Sequence, residues 1–133
     1  MGITYFCFLF SDRLLGKIIE PFGYEVVPVK VTGCLHLKTG CTALDANTIL
    51  INSAWVDILP FSQFKIVEIV PGEPFAANVL PISDIICMNG AFPETKELVV
   101  ALGYNVVSTD ITEFVKAEAG LTCMSVPFYQ KVT

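Results

Sequence analysis

Two segments of this chain repeat one another 80 residues apart: Phe22-Gly23-Tyr24-Glu25-Val26-Val27 and Leu102-Gly103-Tyr104-Asn105-Val106-Val107. Each lies where an apolar helical pattern gives way to a β-branched run, so each reads as a helix, a glycine stop and a strand. A second strand-like segment is expected after each copy, one beginning at Leu35-His36 and the other at Leu121-Thr122-Cys123. Such recurrence points to a fold built from repeated β/α modules. Related modules facing a common axis would bring the starts of those two later segments close together.

The intervening sequence supplies the pieces such modules need. Residues 11–21 read as a short helix with Leu14, Leu15, Ile18 and Ile19 on one face, stopped by Pro21 and Gly23. Residues 24–31, 48–52 and 64–70 have strand length and composition, with 53–59 as a short helical crossover between the last two. Residues 71–81, with three prolines, read as a loop. Residues 84–88 form a buried-type strand ending at the turn pair Asn89-Gly90, and Pro93 opens a helix carrying Leu98, Val99, Ala101 and Leu102. Beyond Gly103, residues 104–108 read as a strand, 111–117 as a short crossover and 121–128 as a last strand.

Bulk properties narrow the function classes. At 133 residues the chain makes one domain or part of one. Charged residues make up 16%, against a usual value of about 25%, so the apolar excess calls for a partner surface. The net charge is −5 and Arg13 is the one arginine, which leaves no basic patch for nucleic acid. The apolar run 3–10 is far short of the roughly 20 residues that cross a bilayer, and it lacks a cationic leader and a cleavage site. The expected location is therefore cytoplasmic, with no membrane partner. Five cysteines with no CxxC pair indicate neither a disulfide framework nor a zinc site, and a cysteine is by default a small buried hydrophobe.

One pair of residues stands apart from that default. A histidine beside a cysteine can take the thiol proton or stabilise the thiolate, which is the nucleophilic form. The single histidine, His36, follows the first repeat copy and Cys123 follows the second. Spacing alone does not choose Cys123 over Cys87. Asn78, in the proline-rich loop, is expected to satisfy its own turn backbone, and Trp55 to serve packing.

The local sequences do choose. Leu35-His36-Leu37-Lys38-Thr39 and Gly120-Leu121-Thr122-Cys123-Met124-Ser125 resemble, in the same order, the two signature segments of the dimethylarginine dimethylaminohydrolases, with Thr39 where serine is usual. The resemblance extends less specifically through residues 48–55 and 73–80, where Ala76-Ala77-Asn78-Val79-Leu80 looks like the family's segment, and covers roughly residues 20–128. It implies an α/β fold, part of the pentein β/α propeller made of ββαβ-type modules, at roughly half of the full propeller. Residues 1–19 would then be a divergent N-terminal segment, 20–128 the C-terminal part of a pentein catalytic domain and 129–133 a tail.

The resemblance also implies the chemistry. Cys123 would be the nucleophile and His36 the general acid and base in hydrolysis of an N-omega-methylated arginine to citrulline through a covalent thiouronium, with no metal or organic cofactor. Ala117 aligns with a position whose main-chain carbonyl holds the substrate amine, and Glu118 with an acidic position. The family's other acids and arginines lie upstream of the histidine signature, and none of Asp12, Arg13, Glu20 or Glu25 sits in a motif that matches them. The site is accordingly expected to be incomplete in this chain, with a homo-oligomer or a complementing N-terminal half as the expected macromolecular partner. A non-catalytic pentein fragment or interaction module, and an arginine deiminase-like or amidinotransferase-like activity, stay open on sequence alone.

Overall fold

Short β-branched runs cannot form a sheet alone and need paired edges and a covered face. The computed structural model shows how they find both. It describes residues 2–7, 12–128 and 130, with side chains from Leu14 onward; residues 8–11 and nearly all of the 129–133 tail lie outside the described residues. Strand β1 (Gly2–Cys7) runs through helix α1 (Asp12–Ile19) and a 3-10 turn (Glu20–Phe22) into β2 (Tyr24–Val29), which pairs with it in parallel. After helical turn α2 (Leu37–Gly40), β3 (Cys41–Ala43) pairs antiparallel with β4 (Thr48–Ile51), and β4 pairs in parallel with β5 (Lys65–Glu68). The same arrangement returns in β6 (Leu80–Ile82), β7 (Ile85–Asn89), helix α3 (Pro93–Ala101) and β8 (Asn105–Thr109). A last helical turn, α4 (Thr112–Val115), follows β8.

The repetition seen in the sequence is thus real, and its period is half as long. The last strands of the three units start at Tyr24, Lys65 and Asn105, 41 and 40 residues apart. The outer two follow Gly23 and Gly103, whose φ values of 80° and 96° lie in the left-handed region that ends a helix. The middle copy enters β5 from Gln63-Phe64 with no such glycine, so it leaves no matching sequence signal. A second repeat joins the middle strands. Asn52 directly follows β4 and accepts the Ala54 N–H at 3.1 Å, while Asn89 ends β7 and accepts the Ala91 N–H at 3.0 Å.

Strand β4 is buried on both faces, and this packs two units against each other. Ile49 and Ile51 join Val29, Leu37, Cys41, Val56 and Phe61 in one apolar cluster. Leu50 points the other way, into a cluster with Val67, Ala77, Ile86, Met88 and Val99. Each of these β4 side chains contributes about 1.5–3 kcal/mol through removal from water.

Three sequence expectations are corrected. Leu35-His36 does not begin a strand: His36 is extended, α2 follows, and pairing starts only at Cys41. Residues 121–128 form a turn and then irregular chain, because no neighbouring strand among the described residues offers a ladder. The 53–59 crossover is a turn that leads into a 3-10 helix at Leu59–Phe61, and Pro60 supports that short form. Strands β3 and β6, three residues each, are too short to leave a periodic signal.

Helix α3 begins without a side-chain cap from its own N-cap residue, Phe92. The buried Glu73 supplies one from the loop after β5: its Oε1 accepts the Glu94 N–H at 3.1 Å and its Oε2 the Thr95 N–H at 2.7 Å. Thr95 returns the connection, its Oγ1 accepting the Val70 N–H at 3.2 Å. Replacing Glu73 by Ala is therefore expected to lower stability by about 1–2 kcal/mol, read as a lower urea midpoint at unchanged slope. An unchanged midpoint would show that the cap contributes nothing.

Candidate active site

The segments that leave the last strands of the three units converge. After β2 the chain is tied by a bridge from Val31 to Val56 and by the Thr32 N–H, which donates to the Trp55 carbonyl at 2.8 Å. Gly33 then passes so close to the Trp55 ring that a Cβ would sit 1.7 Å from Cδ1. Gly40 is similarly closed off, its would-be Cβ 2.5 Å from a Val56 methyl. Between these two fixed points His36 has φ −120° and ψ 142°, and its carbonyl accepts the Thr39 N–H at 3.0 Å and the Cys34 thiol at 3.3 Å. Leu37 is buried beside it, so the backbone is anchored while the imidazole faces solvent.

Cys123 is placed by a series of local caps. Asp110 starts α4 by accepting the Thr112 N–H at 2.8 Å and its hydroxyl at 2.5 Å, and these bonds hold the carboxyl below the usual range, the hydroxyl's effect first. The turn that follows α4 ends at Glu118, whose φ of 59° is left-handed; the Glu118 N–H donates to the Val115 carbonyl at 2.9 Å and the Ala119 N–H to the Phe114 carbonyl at 3.1 Å. A non-glycine residue in that conformation costs about 1 kcal/mol, a strain found where geometry has a use. Past it, Leu121 is buried and Cys123 is exposed. The Gly120 N–H donates to Cys123 Sγ at 3.0 Å and the thiol donates to the Gly120 carbonyl at 3.2 Å, so the backbone of one residue fixes the direction of the sulfur.

Asn78, in the segment after β5, joins the other two. Its Nδ2 donates to the Lys38 carbonyl at 3.0 Å and to Thr122 Oγ1 at 3.0 Å, and its Oδ1 accepts the Thr122 N–H at 3.4 Å. Lys38 is two residues after His36 and Thr122 immediately precedes Cys123. The expectation that this amide serves its own turn is therefore corrected: its side-chain bonds reach partners 40 and 44 residues away in sequence. Gly120 permits the approach, since a Cβ there would lie 2.9 Å from Asn78 Oδ1.

Ala117 and Glu118 lie on the same exposed turn that leads to the cysteine. The Ala117 N–H donates to Phe114 at 3.0 Å, and its carbonyl accepts no hydrogen bond among the described residues. The Glu118 carboxylate has no partner among the described residues either. Trp55 packs edge-on against Phe75 with ring centroids 5.0 Å apart, as expected of a packing residue. The remaining thiols differ in kind from Cys123. Burial pushes the Cys41 thiol up to about 12, helped by neighbouring Cys34, and Cys34 and Cys87 are half-buried. Among the described residues, no group of three or more His, Cys, Asp or Glu side chains could hold a metal, and no helix is long and apolar enough to cross a membrane.

Sequence and fold comparisons agree on the relatives of the chain as a whole. No protein-family model matches the chain. It is 35% identical over 87% of its length to an N(G),N(G)-dimethylarginine dimethylaminohydrolase of Pseudomonas aeruginosa, and covers 46% of that protein. It is 39% identical over 84% of its length to the Streptomyces coelicolor enzyme of the same name, covering 43% of it. The fold superimposes with a TM-score of 0.85 and 29% identity on the Pseudomonas enzyme in a cysteine-to-serine form holding citrulline, covering 96% of this chain and 53% of that one. A histidine-to-glycine dimethylarginine dimethylaminohydrolase, solved as an adduct with S-methyl-L-thiocitrulline, gives a TM-score of 0.86 at 30% identity and is covered to 52%. An arginine dihydrolase of cyanobacteria shares the fold at a TM-score of 0.76. The chain spans about half the length of the curated relatives it matches.

The thiols are expected to separate by reactivity in the folded protein. Iodoacetamide with peptide mapping should label Cys123 and spare Cys41 up to about pH 10, because Cys41 keeps its proton where an unfolded-chain thiol loses it. The sign carries over to stability: the unfolded chain releases this proton first, so stability falls as pH rises from 9.0 towards about 12. Equal labelling of both residues in folded protein would contradict the assignment.

Proposed function

The chain belongs to the dimethylarginine dimethylaminohydrolase family of the pentein superfamily, and from that premise we propose that it carries the nucleophile and acid/base part of a site hydrolysing N-omega-methylated arginine. The Cys123 thiolate attacks the guanidinium carbon, and His36 gives a proton to the departing methylamine or dimethylamine as the carbon–nitrogen bond breaks. The product of this half-reaction is a thiouronium joined to Sγ. His36, now neutral, takes a proton from water as the water oxygen bonds to the same carbon. Collapse expels the Cys123 thiolate and leaves citrulline, so one histidine serves first as acid and then as base.

The observation that carries this reading is the Asn78 amide, bonded at once to the His36 segment and to the Cys123 segment. Exposure of both His36 and Cys123 gives a substrate access. The Ala117 carbonyl, unpaired among the described residues, is a fitting acceptor for the substrate α-amino group, and Glu118 adds negative charge near a cationic ligand. The groups that hold the guanidinium and the α-carboxylate come from outside these residues, from the rest of the polypeptide or from a partner chain. The protein works in the cytoplasm.

The test is the rate of Cys123 alkylation against pH, with and without asymmetric dimethylarginine, in the protein completed by the segment or partner chain that supplies those groups, for the wild type, Cys123→Ser and His36→Ala. The expected result is protection of Cys123 by the methylated arginine and a pH profile that changes in His36→Ala. An ordinary thiol profile with no protection would contradict the reading and favour a non-catalytic pentein module.

A further inference from the structure

Asn78 spends its side-chain amide on groups outside its own loop. Its Nδ2 donates to Lys38 O and to Thr122 Oγ1, both at 3.0 Å, and its Oδ1 accepts the Thr122 N–H at 3.4 Å. An amide offers two donors and one carbonyl oxygen, so both donors are used and the oxygen is engaged. The two bonds to Thr122 are part-buried and the one to Lys38 is exposed; together they tie segments distant in sequence, and breaking the Thr122 pair leaves partly desolvated groups unpaired.

The amide also rests on the peptide that aims the nucleophile. The three atoms nearest to a would-be Gly120 Cβ are Asn78 Oδ1, Cγ and Nδ2, at 2.9, 3.1 and 3.1 Å. Gly120 in turn donates its N–H to Cys123 Sγ at 3.0 Å. One planar group thereby sets the Lys38 carbonyl, the Thr122 backbone and the plane against which Gly120 lies.

We infer that Asn78 is a positioning residue of the reaction: its amide holds the His36 and Cys123 segments in mutual register and keeps the Gly120 N–H aimed at the nucleophilic sulfur. The inference rests on the proposed roles of His36 and Cys123. It adds a residue that touches neither substrate nor the reacting atoms. Its effect is on the geometry of two groups that must act on one carbon, where small displacements are costly in rate.

Asn78→Asp keeps the size of the side chain and removes both donors, and Thr122→Val removes one hydroxyl acceptor and leaves the backbone intact. Two readouts are needed: the second-order rate of Cys123 alkylation relative to Cys87 in the same molecules, and hydrogen exchange of the Thr122 amide. For Asn78→Asp the expected result is a change of about fivefold or more in the relative alkylation rate with faster Thr122 exchange, the size set by loss of about one hydrogen bond. Thr122→Val should move both in the same direction by less. Native far-UV circular dichroism serves as the fold control, and if Asn78→Asp does not fold, Thr122→Val decides. Unchanged relative alkylation and unchanged exchange in the folded variants would overturn the inference. Failure of the proposed function reads differently: the wild-type Cys123 would then lack protection by methylated arginine whatever stands at position 78.

Discussion

Ile49 and Ile51 point from β4 into one apolar cluster while Leu50, between them, points into the other. With both faces covered, β4 packs the middle unit against Val29 of β2 on one side and against Ile86 and Met88 of β7 on the other, and the segments that leave the last strands of the three units emerge together. At its end Asn52 donates from Nδ2 to the Pro74 carbonyl at 3.0 Å, which fixes the loop that follows β5. Four residues on, that loop delivers Asn78 to Lys38 and Thr122. A continuous path of burial and hydrogen bonds thus runs from the most buried strand to the segments that bear His36 and Cys123.

The sequence showed the two outer copies of the repeat because each needs a left-handed glycine before its last strand, at Gly23 and Gly103. The middle copy needs none and was invisible. Apolar runs at β4, β5 and β7 identified strands because each is long enough to carry a pattern. The apparent strand at residues 121–128 failed because strand propensity is a statement about a surface to pair with, and none is there among the described residues. His36 and Cys123 were legible as short motifs. Asn78 was not: an asparagine in a proline-rich loop looks the same whether its amide turns inward or reaches 44 residues along the chain.

The apolar excess of the composition also has a location. Phe22, Leu35, Leu59, Val126 and Phe128 are strongly exposed; Leu35 opens one signature segment and Val126 directly follows the other. The chain matches about half the length of the solved relatives whose fold it shares. In the proposed enzyme such surface meets the remaining units or a partner, and the acids and arginines that would hold the two ends of a methylated arginine arrive with it.

The central claim is that Cys123 forms a covalent bond to the guanidinium-type carbon of a substrate and that His36 is needed to break it. Intact-mass spectrometry of His36→Gly, in the protein completed by the segment or partner that supplies those acids and arginines, incubated with S-methyl-L-thiocitrulline tests this directly, because methanethiol can leave as the carbon–sulfur bond to Cys123 forms and no base remains to activate water. The account predicts a persistent adduct that peptide mapping assigns to Cys123. Unmodified protein, or an adduct spread over Cys34 and Cys87, would contradict it.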